Sequence, residues 1–348
     1  MVTGLDEKML LEQTRRRLQL APADFIRLTP IFKGGSSRSF FRVELPPERS
    51  VILMEYSPDK EENAYFVHIA DFLASLHIDV PLVLFHDQER HLVWMQDLGG
   101  IDLHSMRDDP WDERKQAYFA ALDAAGRLHR DAPAAFDAKP FPLMRGFDAH
   151  LYNWEHDYFF ENFVVGFCQL RDERADKARL RNELGGLIER LAAAGSTLIH
   201  RDLQSQNVMM QKRRACLIDF QGLRHGTLFY DLGSLLYDPY VSFYEAEREE
   251  LLDFYFDHFL RNGQSPGGSR EADRRLFWDA SAQRLMQALG AYGYLGLNQG
   301  KTHFLDHIPA ALERLSETAR HSGRLPALHG LVQRCAEATR ARAPQPLF

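Results

Sequence analysis

The interpretation of this chain depends on one segment, Leu198-Ile199-His200-Arg201-Asp202-Leu203-Gln204-Ser205-Gln206-Asn207. It begins with apolar residues, which predict a short strand, and continues with polar residues, which predict a loop. Asp202 precedes Asn207 by five positions, and a later apolar run, residues 215–220, contains a second carboxylate at Asp219. Because that run follows another, residues 208–210, across a polar turn, the two runs predict a hairpin that returns Asp219 towards the loop.

These residue types suit one kind of chemistry. Asp202 can face a substrate hydroxyl, while the amide oxygen of Asn207 and the carboxylate of Asp219 can hold Mg²⁺ against the phosphates of ATP. The sequence therefore predicts phosphoryl transfer. The alternative is a turn aspartate and a solvated asparagine beside two ordinary strands.

The same residues carry a resemblance to a known family. His200–Asn207, Ile218-Asp219-Phe220-Gln221 and Asp231-Leu232 resemble the protein-kinase-like superfamily and, within it, the branch of aminoglycoside phosphotransferases and choline kinases. Protein kinases need a long activation segment after the metal-binding aspartate, but here a helix is predicted to start close behind Asp219. Phosphorylation of proteins is therefore not expected.

The resemblance implies a fold and a division of the chain. The expected fold is α+β and bilobal, with a small antiparallel β-sheet in an N-lobe and a larger, mainly helical C-lobe. Residues 1–97 would form the N-lobe with the ATP lid and the hinge. Residues 98–348 would form the C-lobe with the catalytic hairpins and the acceptor site.

The resemblance also implies roles for single residues. Asp202 would orient the acceptor hydroxyl and take its proton, and Gln204 would be a neutral donor near the γ-phosphate or the acceptor. His200 and Asp231 would brace the backbone of the loop. In the hinge, the backbone of residues Gln96 to Leu98 would meet adenine.

A glycine-rich turn lies near the start of the predicted N-lobe. Gly34 and Gly35 let a backbone approach a polyanion closely, and Ser36, Ser37 and Arg38 can donate hydrogen bonds to phosphate oxygens. The turn is predicted to cover ATP. An ordinary hairpin turn is the alternative interpretation, because such a short motif has little specificity by itself.

One departure concerns the third predicted strand, residues 51–56. Protein kinases carry there a lysine that holds the ATP phosphates, but this strand has none. Arg38 and Arg42 are the candidates to replace it, although Arg42 could equally form an ion pair on the strand face. The absence, together with the turn sequence 34–42, resembles a bacterial subgroup that includes kinases acting on the anomeric hydroxyl of N-acetylmuramate and N-acetylglucosamine.

Composition narrows the class of protein further. The chain has 348 residues, 45% of them hydrophobic, and a formal net charge of −7, which argues against nonspecific nucleic-acid binding. Its 3 cysteines have no paired spacing, and no stretch approaches a membrane span. We therefore expect a cytoplasmic protein with no nucleic-acid or membrane partner; the sequence does not indicate its oligomeric state.

After residue 100 the pattern is mainly helical, and one predicted helix, Gly146–Phe167, is rich in aromatic and acidic residues. Trp154 and Asp157 are its candidate contacts to an acceptor sugar, although aromatic residues at this spacing also pack in cores. Three functions remain open: a kinase of a sugar or amino sugar, a kinase of the aminoglycoside or choline type, and a nucleotide-binding regulator without turnover.

Overall fold

The computed structural model describes residues 7–31, 38–170, 177–261 and 265–342. A five-stranded antiparallel sheet has the order β1-β2-β3-β5-β4. Its strands are β1 (Arg27–Ile31), β2 (Ser39–Leu45), β3 (Arg49–Glu55), β4 (Val83–Asp87) and β5 (Leu92–Gln96). Helix α1 (Glu7–Arg17) precedes the sheet, and α2 (Glu61–Ser75) connects β3 to β4.

The sheet is covered by apolar residues on both faces. Alternate residues of β2, among them Phe41 and Val43, are buried with Leu10 of α1 in one cluster. Met54 of β3 belongs instead to the main core, together with Phe66 of α2. Because side chains alternate across a strand, Arg42 lies on the face of β2 opposite Phe41 and Val43.

The rest of the described chain is mainly helical. Its α-helices are α3 (Trp111–Ala138), α4 (Ala149–Phe159), α5 (Lys177–Ala193), α6 (Leu228–Leu236), α7 (Glu245–Phe259), α8 (Arg270–Leu297), α9 (Ile308–Ser322) and α10 (Pro326–Arg342). The predicted α+β class is confirmed. Among the described residues, no helix combines the length and the apolar character that crossing a bilayer requires. The division of the chain at residue 97 stays a prediction.

Two small ribbons interrupt the helices. The predicted hairpin is confirmed as β7 (Val208–Gln211) paired with β8 (Arg214–Leu217). The sequence did not indicate that β6 (Thr197–Ile199) pairs with β9 (Arg224–Gly226). In this pair Ile199 stands opposite Arg224, so the residue just before the catalytic loop is tied to a strand that follows Asp219.

The predicted helix 146–167 differs in detail from the structure. The carboxylate of Asp148 accepts a hydrogen bond from the N–H of Leu151, so α4 begins only at Ala149, and its continuation, Phe160–Phe167, is π-helical. Here α8 approaches very closely, since a Cβ on Gly293 would lie 2.3 Å from the carbonyl oxygen of Asn162. Glycine is thus required for the contact that fixes α8 against the π-helical continuation of α4.

Candidate functional site

Backbone and amide hydrogen bonds connect the loop of residues 200–207, the predicted catalytic loop, to the β7–β8 hairpin. Nδ2 of Asn207 donates to the carbonyl oxygen of Asp202 at 2.9 Å, and the N–H of Ile218 donates to the carbonyl oxygen of Asn207 at 3.0 Å. The next residue is Asp219. Phe220 then stacks on Phe66 of α2 with ring centroids 4.8 Å apart. The structure therefore brings Asp202, Asn207 and Asp219 together.

Buried groups hold the start of the loop. The carboxylate of Asp231, fully buried on α6, accepts hydrogen bonds from the N–H groups of His200 at 2.7 Å and Arg201 at 2.8 Å. It also contacts Nε2 of His129 at 3.0 Å, while Nε2 of His200 lies 3.0 Å from the carbonyl oxygen of Ile218. Asp231 and His200 thus contact the protein backbone. Gln204 is half-buried, and its N–H donates to the Asp202 carbonyl at 2.9 Å.

Asp219 stands at the exit of the hairpin in the left-handed backbone region, with φ of 64°. Arg38 donates a hydrogen bond to its Oδ1, and Nε2 of Gln221 donates to the same oxygen at 3.0 Å. The Asp219 side chain nevertheless remains 35% exposed. Both of these donors contact Oδ1, so Oδ2 is the oxygen that could take a further ligand.

This donor set fits a hard divalent cation. Asp219 offers a carboxylate oxygen, and because Nδ2 of Asn207 is engaged, the amide oxygen is the atom left to coordinate. No group of three or more His, Cys, Asp or Glu side chains within the described ranges could hold a metal by itself. A bound Mg²⁺ would need phosphate oxygens or water as further ligands, as is usual for this ion.

Asp97 organises the segment that follows β5. It accepts hydrogen bonds from Nε of Arg42 at 2.6 Å, from the hydroxyl of Ser50 at 2.7 Å and from the N–H of Gly99 at 2.8 Å. Burial opposes ionisation of Asp97, but these donors outweigh it and hold the pKa of the carboxyl below its ordinary value. Arg42 is therefore engaged in an ion pair, which was the alternative interpretation of this residue.

Some backbone groups of the predicted hinge, residues 96–98, already have hydrogen-bond partners. The N–H of Gln96 donates to the carbonyl oxygen of Leu82 at 2.8 Å, and the carbonyl oxygen of Leu98 accepts from Gln211 of β7. Leu98 also belongs to a small apolar cluster with Met209, Cys216 and Ile218. An apolar surface thus lies between the hinge and the hairpin that leads to Asp219.

Three arginines surround Asp202. Nη1 of Arg201 lies 2.7 Å from its Oδ2, and Nη2 of Arg284, on α8, lies 3.5 Å from its Oδ1. Burial opposes ionisation of Asp202, but the charges of Arg201 and Arg284, with smaller contributions from His200 and Arg224, hold the pKa of its carboxyl below the ordinary value. The carboxylate is therefore kept ionised, as a group that accepts a proton must be.

The two candidate residues of helix α4 and its buried Glu155 lie on different faces of the helix. Trp154 and Asp157 lie on its exposed face, with Trp154 stacked on Tyr158 at 5.1 Å. On the buried face, Glu155 accepts hydrogen bonds from the hydroxyl of Tyr230 at 2.8 Å and from Gln283 at 3.0 Å. Burial raises the pKa of Glu155.

The sequence interpretation missed Arg201, Arg224 and Arg284, and among the acidic residues of the predicted helix 146–167 it preferred Asp157 to Glu155. Arg201 was visible beside Asp202, and its type alone indicated a cation at the loop. No local signal marked Arg224 or Arg284, because pairing of β6 with β9 and packing of α8 bring them there. Of the predicted lid, Gly34, Gly35, Ser36 and Ser37 lie outside the described residues.

The sequence of this chain is similar to those of known phosphotransferases. Residues 28–272 match the model of the Phosphotransferase enzyme family. A relative in Pseudomonas putida, named N-acetylmuramate/N-acetylglucosamine kinase, is 28% identical over 316 residues, which cover 89% of this chain and 88% of that protein.

Solved structures share the fold. A choline/ethanolamine kinase family protein from Mesorhizobium loti matches with a TM-score of 0.59 and 18% identity, covering 96% of this chain and 100% of that one. The ADP-bound aminoglycoside phosphotransferase APH(2'')-Ib matches with a TM-score of 0.56 and 13% identity, covering 91% and 99% of the two chains. The predicted protein-kinase-like fold and the predicted family resemblance are confirmed.

Proposed function

Because this chain belongs to the Phosphotransferase enzyme family, we propose that it uses ATP and Mg²⁺ to phosphorylate a hydroxyl group of an amino sugar. The chain is a small-molecule kinase. The observation that carries the proposal is the run of contacts from Asp202 through Asn207 to Ile218, which places Asp219 beside the catalytic loop.

When bound, Mg²⁺ neutralises charge on the phosphates of ATP and helps to align them. Asn207 and Asp219 would hold the cation. Arg38 would supply the positive charge that the third strand lacks, because it already lies against Asp219. Arg42 would act indirectly, by fixing Asp97 and the hinge.

At the acceptor, Asp202 would accept a hydrogen bond from the reacting hydroxyl and take its proton as the new O–P bond forms and the bond to the β-phosphate oxygen breaks. Its lowered pKa suits a group that must be ionised at neutral pH. Gln204 would donate a hydrogen bond to the γ-phosphate or the acceptor. His200 and Asp231 would position the loop.

The adenine ring would rest on the apolar cluster of Leu98, Met209, Cys216 and Ile218. Within the described part of the chain, the N–H of Gln96 and the carbonyl oxygen of Leu98 already have partners, whereas the N–H of Leu98 makes no backbone hydrogen bond. The Leu98 N–H is therefore the hinge donor that we assign to adenine.

Charge at the acceptor side favours an amino sugar over the two alternatives. A cationic acceptor such as choline or an aminoglycoside would be repelled by the arginines at Asp202, since like charges close together are unfavourable. A regulator without turnover would not need the ionised Asp202. Trp154 and Asp157 remain candidates only for the rim of the site, because both face solvent.

The test measures ADP release with Mg²⁺ and ATP in the presence of N-acetylmuramate, N-acetylglucosamine, choline or an aminoglycoside. We expect release that depends on either amino sugar, with a sugar phosphate identified by ³¹P NMR. Asp219→Asn should abolish release in a protein that still folds. Release with choline or the aminoglycoside alone, or nucleotide binding without release with any acceptor, would show that the proposal is wrong.

A further inference from the structure

Arg224 is a buried cation to which the reaction described above assigns no contact with a substrate. Arg224 is the first residue of β9 and is only 6% exposed. Nε donates to the carbonyl oxygen of Gly222 at 2.9 Å, and the guanidinium lies 5.9 Å from the ring centre of Phe147. Among the described residues, its terminal nitrogens make no hydrogen bond or ion pair, although Asp202 is near.

The surroundings leave the charge of Arg224 incompletely compensated. Burial, together with the positive charge of Arg201, lowers the pKa of Arg224 to about 10. Asp202 is shared with Arg201 and Arg284, and both oxygens of Glu155 are occupied by Tyr230 and Gln283. A buried charge without a partner is costly, so an anion bound here would relieve that cost.

Arg224 and the carboxylate of Asp202 both lie beside Gly222. The position that a Cβ on Gly222 would take lies 3.9 Å from Nη2 of Arg224 and 3.9 Å from Oδ2 of Asp202. Cδ of Arg201 lies 3.6 Å from the same position, so the two arginines and the carboxylate are neighbours around Gly222. An acceptor whose hydroxyl meets Asp202 would therefore carry a substituent towards Arg224.

We propose that Arg224, supported by Arg201 and Arg284, binds a carboxylate carried by the acceptor. This inference rests on the proposed function. The preferred acceptor is then an acidic amino sugar, and a neutral one is a weaker substrate. Arginine suits this task because its planar guanidinium pairs with a carboxylate through two parallel hydrogen bonds. N-acetylmuramate has such a carboxylate on its lactyl ether, and N-acetylglucosamine lacks it.

The experiment uses three probes: N-acetylmuramate, its methyl ester and N-acetylglucosamine. The ester keeps the shape of the acid and removes its charge. We expect the intact wild-type protein to bind the acid about 10- to 100-fold more tightly than the ester in calorimetry without nucleotide, which is the range for a hydrogen bond to a charged group. The ratio of kcat/KM for acid and ester should show the same preference.

Arg224→Gln should remove most of that preference and leave the affinity for N-acetylglucosamine almost unchanged, while Arg224→Lys should retain part of it. Arg179→Gln, at a side chain that is 66% exposed, is the matched control. Circular dichroism and thermal melting check that each variant folds, and the comparison of acid with ester in the wild type does not depend on any variant.

Three results overturn the inference. They are equal wild-type affinity for acid and ester, an unchanged preference in Arg224→Gln, and an equal loss of kcat/KM with all three probes, which would assign the cation to the transferred phosphoryl group. The experiment distinguishes failure of this inference from failure of the proposed function. Turnover of both amino sugars without a charge preference would refute only the carboxylate site, whereas no ATP-dependent turnover of any amino sugar would refute the function.

Discussion

Arg38 donates a hydrogen bond to Asp219 across 181 positions of sequence. This contact joins the residue just before β2 to the exit of the catalytic hairpin. The Arg38 side chain is 7% exposed and that of Asp219 is 35% exposed, so the cation is well enclosed while its partner remains accessible. A positive charge can therefore reach Asp219 from Arg38, without a lysine on the third strand.

Arg38→Gln should weaken the binding of ATP with Mg²⁺ by about 10- to 100-fold, because a charged hydrogen-bond donor to the phosphates is lost. Arg38→Lys should recover part of the affinity. Calorimetric titration with the nucleotide measures both. Arg27→Gln, at a side chain that is 61% exposed, is the control and should bind normally. Unchanged affinity in Arg38→Gln would rule out the role given to this residue.

Asp202→Asn should reduce kcat by about 100- to 10,000-fold, the usual contribution of a positioned proton acceptor. Nucleotide affinity and the melting temperature should change little, since the amide has the shape of the carboxylate. Steady-state assays with the amino-sugar acceptor give the rates. Asp112→Asn, at a side chain that is 94% exposed, should behave as wild type. Near-normal turnover in Asp202→Asn would contradict the assignment.

Asp231→Ala should lower the free energy of unfolding by about 3 kcal/mol or more, because the N–H groups of His200 and Arg201 would be left buried without an acceptor. Urea denaturation measures the change. Asp108→Ala, whose wild-type side chain is 85% exposed, should change stability by no more than about 0.5 kcal/mol. Similar stabilities of the two variants would show that Asp231 does not brace the loop.

Asp97→Asn should change how stability depends on pH. The pKa of Asp97 lies below its ordinary value of 3.8, so the carboxylate stabilises the folded protein above that value, and the benefit disappears as pH falls through the lower folded pKa. We expect the variant to be less stable by about 1–3 kcal/mol at neutral pH, nearer the lower end because Arg42 is partly exposed.

Urea titrations of wild type and Asp97→Asn at neutral pH, and again in acid below the ordinary value of 3.8, provide the measurement. The difference in unfolding free energy should shrink in acid. A difference that stays constant, or grows as pH falls, would exclude linkage through Asp97.

Much of the fold could be predicted because local patterns encode it. Apolar runs separated by a polar turn indicated the β7–β8 hairpin, and the structure pairs Gln211 with Arg214 beside that turn. Alternation in β2 and helical spacing in the later chain were equally readable. The buried residues of α4 were harder to predict, because Trp154 and Glu155 are adjacent in sequence but only Glu155 faces the interior.

The sequence by itself determined that Asp202, Asn207 and Asp219 are candidates for one site, since the loop and the hairpin that carry them are local structures with characteristic spacing. Only the tertiary structure decided that Arg224 and Arg284 border Asp202. Their positions depend on the pairing of β6 with β9 and on the packing of α8. Hydrophobic periodicity indicates which face of an element is buried, but it does not say which distant element will cover that face.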